Sequence, residues 1–408
     1  MTELLISRLG LHGDGIADGP VFVPRTLPGE RVAGRIDAQT LRDVKVLEPS
    51  HRRVAPPCAH YKSCGGCQLQ HADDAFVAGW KVDVVRQALA SHGLETVFRG
   101  IETSPPRSRR RAGFAARRTK KGAMVGFYGR ASDTIIPVER CEILDPEVLH
   151  GMRIAEALAI AGASRKTALA VSVTLTKSGL DVAASKGKPL DGPLRHQLAA
   201  ICEDQAIARL SWEGEVIAMR TLPLYEFDGI DVAPPPGAFL QATRHGEAAL
   251  LTAVREITHG AGRIVDLFAG CGTFALPLAR QGEVHAVESD GDMMAALDVG
   301  WRHGQGLKNV TTETRDLFRR PLVPLELTKV DAVVLDPPRA GAEAQVAELA
   351  QAGVARLAYV SCNPVTFARD AAVLCAAGYA LDWVQVVDQF RWSAHVELAA
   401  SFTAAHMR

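Results

Sequence analysis

The sequence predicts an α/β protein in three parts: a doubly wound parallel sheet at the C-terminus, a small β-barrel at the N-terminus and an α+β region between them. Three observations predict it. After Pro234-Pro235-Pro236-Gly237, strand-like and helix-like segments alternate to the end of the chain, as crossover helices between parallel strands require. Residues 1–49 instead read as short apolar stretches cut by Gly, Asp and Pro, which suits a barrel of short strands. The 408 residues are 47% hydrophobic and 23% charged, a globular composition long enough for two or three domains. Disorder and a fibrous fold are excluded.

No apolar run approaches the 18 or more residues of a membrane span, and the opening MTELLISRLGLHGDG lacks the basic start and apolar core of a secretory signal. A cytoplasmic protein without a membrane partner is expected, as a monomer. Lys and Arg number 46, as do Asp and Glu, yet residues 1–141 hold 22 basic against 14 acidic residues, leaving 24 against 32 for residues 142–408. The basic front suits a polyanion.

Element by element, 1–50 is the barrel, 51–232 the central region and 233–408 the doubly wound domain. Asp73 to Gly93 has helical periodicity between an acidic start and a glycine stop, and can pack on the C-terminal domain. In the central region, LAVSVTLT and GLDVAAS read as strands and EVLHGMRIAEALAIAGA as a helix. The C-terminal strands are IVDLFAG, EVHAVE, VDAVVLD and RLAYVSC, then WVQVVDQF and HVELAASF. The last two leave no room for a helix between them, which places an antiparallel hairpin at the sheet edge.

Asp266-Leu267-Phe268-Ala269-Gly270-Cys271-Gly272-Thr273 runs from a strand into a Gly-x-Gly turn and the helix FALPLARQG. Glycines there let backbone pass close under a ligand. Glu288 follows 22 residues after Asp266, at the end of the next strand, where a carboxylate can take both hydroxyls of a ribose. Asp316 can meet an adenine amino group, and Asp336-Pro337-Pro338-Arg339 closes the fourth strand at the ligand-binding edge. A nucleoside fits. An NAD site stays open, since Ala275 replaces the third glycine of the phosphate fingerprint and alanine is allowed there.

Cys362 ends the strand AYVSC on that same edge, and Asn363-Pro364 turns the chain so that the thiol faces the cleft as a candidate nucleophile. Glu397, in Ala394-His395-Val396-Glu397, is the candidate base. His395 lies on the same face.

Cys58-x5-Cys64-Gly-Gly-Cys67 supplies three soft ligands on a glycine-rich loop, and Cys141 is the natural fourth. Four thiolates suit zinc or an iron–sulfur cluster, and three clustered cysteines with one distant fit 4Fe-4S. Arg107 to Lys121 has eight basic residues, no acidic ones and Phe114 among them. It is expected to form a basic β surface gripping phosphates, with Phe114, Phe127 or Tyr128 as stacking groups.

Together these residues resemble the RNA uracil-5 methyltransferase family over nearly the full chain, through C-x5-C-G-G-C, Cys141, Gly237-Ala238-Phe239-Leu240-Gln241, DLFAGCGTF, AVES, DPPRAG, YVSCNPVTFARD and HVE. The resemblance implies a TRAM or OB-like barrel, a central iron–sulfur domain and a Rossmann-like methyltransferase domain. It implies that Gln241, Phe268, Glu288 and Asp336 contact S-adenosylmethionine, together with Thr273 and Asp316, and that Cys362 is the nucleophile and Glu397 the proton acceptor. Two departures stand out: Thr273 where Asn is common, and FRWSA before HVE where a Pro and a Thr or His are usual. Family members with both barrel and cluster point to 23S rRNA. A tRNA uridine, an RNA cytosine and a non-catalytic RNA-binding protein are the alternatives.

Overall fold

In a computed structural model, which describes residues 1–405, the strands Thr2–Leu9, Gly15–Ala17, Val21–Val23, Arg31–Asp37 and Thr40–Glu48 close a barrel. Alternation along these strands sends Ile6, Val23, Val32 and Leu41 into its interior.

The central region is a seven-stranded sheet running from Ile135–Ile136 through Ala123–Tyr128, Arg111–Arg118, Leu169–Thr176, Gly179–Ser185 and Arg209–Trp212 to Glu215–Met219. The helices Pro146–Gly162 and Gly192–Asp204 pack against it. Period-2 alternation in Arg111–Arg118 puts Ala112, Phe114 and Ala116 in the core with Ile154, Leu158, Val171 and Val173. This corrects one expectation. Phe114 is 2% exposed and its ring packs on Phe127, so it is a core residue and not a stacking platform, whereas Tyr128 is exposed.

The C-terminal sheet has the order Val310–Thr314, Glu283–Glu288, Arg263–Leu267, Ala332–Leu335, Arg356–Ser361, Glu397–Ala404, Tyr379–Asp388, Val97–Phe98. The first five strands are parallel and Glu397–Ala404 is antiparallel to both neighbours. Strand order reverses beside Arg263–Leu267, so a crevice opens at the carboxyl ends of Arg263–Leu267 and Ala332–Leu335. Two sequence expectations change here. The predicted helix after the glycine turn is only Ala275–Leu278, because the chain is back at the start of the sheet by Glu283. The terminal hairpin does not form the sheet edge: Val97–Phe98 and Glu102–Thr103, far upstream in sequence, add outside it in parallel to Tyr379–Asp388.

The helix Asp74–Ala90 begins where the Asp73 carboxylate accepts from the Phe76 amide at 2.7 Å. It packs on Pro364–Ala376 and shares Val84, Val85 and Leu89 with the core beneath the sheet. Lys81 on this helix is fully buried, paired with Asp388, and donates to the Phe390 carbonyl at 3.1 Å. Among the described residues no helix is long and apolar enough to cross a membrane.

Candidate active site

The first strand of the doubly wound sheet ends at Leu267, and Phe268, Gly270 and Gly272 then take φ of 63°, 55° and 97°. A side chain at Gly272 would meet Leu276 and Leu297 at 2.9 Å, so this turn requires glycine for both its backbone and its packing. Asp266 lies beneath it, fully buried, and burial followed by the nearby Asp336 charge pushes its carboxyl well above the usual range. Asp266 therefore sits under the turn; the cavity above is lined by other carboxylates.

That cavity, about 540 Å³, is lined by Phe268, Gly270, Thr273, Glu288, Asp316 and Asp336, and also by Cys362 and Glu397. Backbone amides fix the Glu288 carboxylate at both oxygens: one accepts from Ser289 and Asp290 at 2.6 and 3.1 Å, the other from Gly270 at 3.3 Å. The Phe268 and Phe318 rings stand 5.5 Å apart over the same space. Gln241 is buried and stands behind the lining; its amide reaches Asp336 at 3.4 Å.

Cys362 follows the strand Arg356–Ser361 and precedes the helix Pro364–Ala376, whose N-cap Asn363 accepts from Val365 N at 3.2 Å. The thiol is thus fixed between two regular elements. Burial, then the charges of Glu397 and Asp336, push it up to about 11, while Arg339 draws it down. Burial pushes Asp336 up to about 7. Burial first and Asp336 second push Glu397 up to about 8, against a hydrogen bond from Gln389. Burial thus favours the protonated forms of both carboxyls and the thiol, and a cation in the cleft favours the ionised ones.

Gln389 is the residue that sequence reasoning missed. Its amide nitrogen donates to Glu397 and, at 2.6 Å, to the Gln241 side-chain oxygen; its own oxygen accepts from Ala242 N at 2.8 Å. Nothing in the spacing marks it, because its partners lie 148 and 8 positions away. Phe239, exposed at the rim, and Arg339 also line the cavity without having been assigned a role.

The FRWSA segment is held by partners far upstream. Arg391 pairs with Asp74, Trp392 Nε1 donates to Asp74 at 3.1 Å, and the Trp392 carbonyl accepts from Gln68 and Leu69 amides at 2.9 Å each. The cysteine loop and the long upstream helix together hold the approach to Glu397.

Cys58, Cys64, Cys67 and Cys141 line a second cavity of about 270 Å³. Burial pushes Cys67 up to about 12 and raises Cys64 and Cys141, and the nearby Cys58 adds to all three shifts. Arg109 lines the same cavity and its guanidinium also stands 5.6 Å from the Phe390 ring. Among the described residues no three His, Cys, Asp or Glu side chains converge to hold a single metal ion. The basic segment is only partly a surface. Arg110 is 5% exposed and paired with Glu247, and Arg107 is paired with Glu142, whereas Lys120 and Lys121 face solvent.

Residues 302–404 match the family model for tRNA (uracil-5-)-methyltransferases. An uncharacterized RNA methyltransferase of Rhizobium meliloti is 45% identical over 405 residues, covering 97% of this chain and 98% of that protein. The 23S rRNA (uracil(1939)-C(5))-methyltransferase of Shewanella amazonensis is 31% identical over 420 residues, covering 98% and 95%. The fold matches the crystal structure of Pyrococcus abyssi tRNA (uracil-54, C5)-methyltransferase in complex with S-adenosyl-L-homocysteine, with a TM-score of 0.76, 21% identity and coverage of 98% and 100%. The chain belongs to the RNA (uracil-5-)-methyltransferase family and is an enzyme that methylates RNA.

Proposed function

We propose that this enzyme methylates carbon 5 of a uridine in 23S ribosomal RNA, with S-adenosylmethionine as donor, Cys362 as nucleophile and Glu397 as proton acceptor. The observation that carries this reading is the single cavity shared by Cys362, Glu397, Glu288, Asp316 and Asp336. In it Glu288 would take the ribose hydroxyls, Asp316 the adenine amino group and Phe268 the adenine face, with Gly270 and Thr273 forming the floor. Gln241 orients Asp336 toward the positive end of the cofactor. The donor supplies an electrophilic methyl group on a sulfonium cation.

Carbon 5 of uracil is too weak a nucleophile to take a methyl group unaided, and the Cys362 thiolate removes that obstacle. Its sulfur bonds to carbon 6 and drives the electron pair into an enolate across carbon 5 and oxygen 4. Carbon 5 then attacks the methyl group, the methyl–sulfur bond breaks, and its electron pair would stay on the sulfur as a neutral thioether. Glu397 removes the carbon 5 proton, the pair re-forms the 5,6 double bond, and the sulfur–carbon bond breaks to return the thiolate. A cation beside Asp336 and Glu397 favours the ionised forms that both residues need.

The 31% identical relative that is named for a 23S rRNA uridine supports the ribosomal substrate. The match of residues 302–404 to a tRNA enzyme model favours a tRNA uridine as the second reading. Mass mapping of 5-methyluridine in ribosomal and transfer RNA from a deletion strain, with and without the restored gene, decides between them. Loss of a ribosomal site is expected; loss of a tRNA site alone would transfer the assignment.

The four cysteines support a 4Fe-4S cluster more than a single zinc. Three clustered thiols and one distant in sequence, all lining one cavity, are the donor set that such a cluster takes. Ionising such crowded, buried thiols requires positive charge in the cavity, to which Arg109 adds. Residues 1–50, 51–232 and 233–408 serve as barrel, RNA-binding and catalytic segments in this reading, with the 74–103 stretch given over to the catalytic sheet.

A further inference from the structure

Cys362 and Arg339 belong to two cavities at once. Besides the first, they line a cleft of about 470 Å³ whose walls come from three parts of the chain: Leu11 and His12 of the barrel, Gln87 and Ser91 of the helix Asp74–Ala90 and its end, and Asn363 and His395 of the catalytic domain. The two cavities differ in charge. Glu288, Asp316, Asp336 and Glu397 line the first, beside Arg315 and the shared Arg339. Among the described residues none of the side chains lining the second is a carboxylate, and Arg339, His12 and His395 bring a guanidinium and two imidazoles with N–H donors to it. A cation suits one side of the thiol and an anion the other.

Asn363 sets the geometry at the junction, since its side chain donates to the Arg339 carbonyl at 2.8 Å and so ties the Asp-Pro-Pro-Arg turn to the turn that carries Cys362. His12 and His395 are exposed, which leaves the cleft open to a polymer and not only to a small molecule. The volume lies within the range of small-ligand sites, enough for one nucleotide.

We infer that this cleft is the subsite for the nucleotide next to the target uridine, with Arg339, His12 and His395 taking its phosphate and Gln87 reading its base edge. The inference rests on the assignment of Cys362 as the nucleophile. A uracil presented to the thiol with the cofactor on one side must continue its backbone on the other. The barrel thereby becomes part of the substrate site: it supplies a wall within reach of the reacting thiol.

The test uses full-length protein with S-adenosylmethionine and the methylated RNA trimmed to a short stem-loop, carrying photoreactive 4-thiouridine beside the target position. Crosslinks to peptides containing His12 or Gln87 are expected. His12→Ala with Gln87→Ala should raise KM for the RNA about tenfold or more, leaving the thermal transition and the affinity for S-adenosylmethionine unchanged. Crosslinks that map only elsewhere, or an unchanged KM in a double variant that methylates like the wild type, would overturn the subsite. If the wild-type protein forms no 5-methyluridine on any RNA, the assignment of Cys362 fails instead, and the inference with it.

Discussion

The Gln389 amide donates to the Glu397 carboxylate and to the Gln241 side chain, so one buried group ties the proposed base to the residue that orients Asp336. A donor to a carboxylate stabilises its charged form. Gln389→Leu should raise the pKa of Glu397 above its present value of about 8 and move the acid limb of the turnover profile to higher pH. A lost hydrogen bond to a charged group corresponds to roughly ten- to a hundredfold in rate. A uniform fall in turnover with an unmoved pH profile would make Gln389 a packing residue only.

Cys362→Ala should abolish methyl transfer and still bind S-adenosylmethionine, since the cofactor-facing carboxylates lie elsewhere in the cavity. Glu397→Gln should add its thiolate, transfer the methyl group and then stall. That variant alone should accumulate a covalent protein–RNA adduct, seen as a denaturation-resistant shifted band. The adduct should form faster on a loop uridine than on a paired one, which must first leave its stack. Multiple turnover by Glu397→Gln would place the base on another group.

The raised carboxyls bear on stability and on ligand binding. Glu397 moves from 4.5 unfolded to about 8 folded, so its protonated form is the one the fold favours. The stability it contributes is present below pH 4.5 and is lost as pH rises through 8. Glu397→Gln should therefore stabilise the ligand-free protein more at pH 9 than at pH 5, by about 4 kcal/mol, readable by denaturant titration at both values. Binding of the cationic donor near pH 7 should release protons from Asp336 and Glu397. Calorimetry in two buffers of different ionisation enthalpy measures that release, and equal heats in both would contradict it.

Protein purified without oxygen should be brown and carry iron and sulfide in the proportion of one 4Fe-4S cluster. Colourless protein with one zinc and no iron would keep the ligands and replace the cluster. Because Gln68 and Leu69 bond the Trp392 carbonyl, Cys67→Ser should loosen the segment before Glu397. Faster hydrogen exchange at residues 390–396 is the expected sign.

RNA affinity should weaken steeply with salt, and replacing Arg118, Lys120 and Lys121 by Ala should flatten the log–log slope by up to about 2. Arg110→Ala should instead lower thermal stability, because it leaves the largely buried Glu247 carboxylate without its partner. An unchanged slope in the triple variant would return that surface to simple solvation.

The sequence alone determined what depends on local order. Alternation of strand and helix segments specified the doubly wound sheet, Asp73 and Gly93 bracketed the helix that runs Asp74–Ala90, and glycine spacing located the turn at Gly270 and Gly272. It also placed Glu288, Asp316, Asp336 and Cys362 together, because successive parallel strands end on one edge, and which residues crowd that edge follows from their positions along the strands. Tertiary structure decided the rest. The Arg107–Lys121 run reads as one charged surface, yet strand alternation and long-range pairing divide it into buried Arg110, buried Phe114 and exposed Lys120 and Lys121. Gln389 gained its role only when the antiparallel strand Glu397–Ala404 entered the sheet beside Arg356–Ser361 and brought Glu397 under its amide. The same packing put the barrel's His12 and the helix's Gln87 into a cleft that Cys362 also lines, from positions hundreds of residues upstream. Such contacts are set by chain crossovers and side-chain burial, and no periodicity within a short window of sequence encodes them.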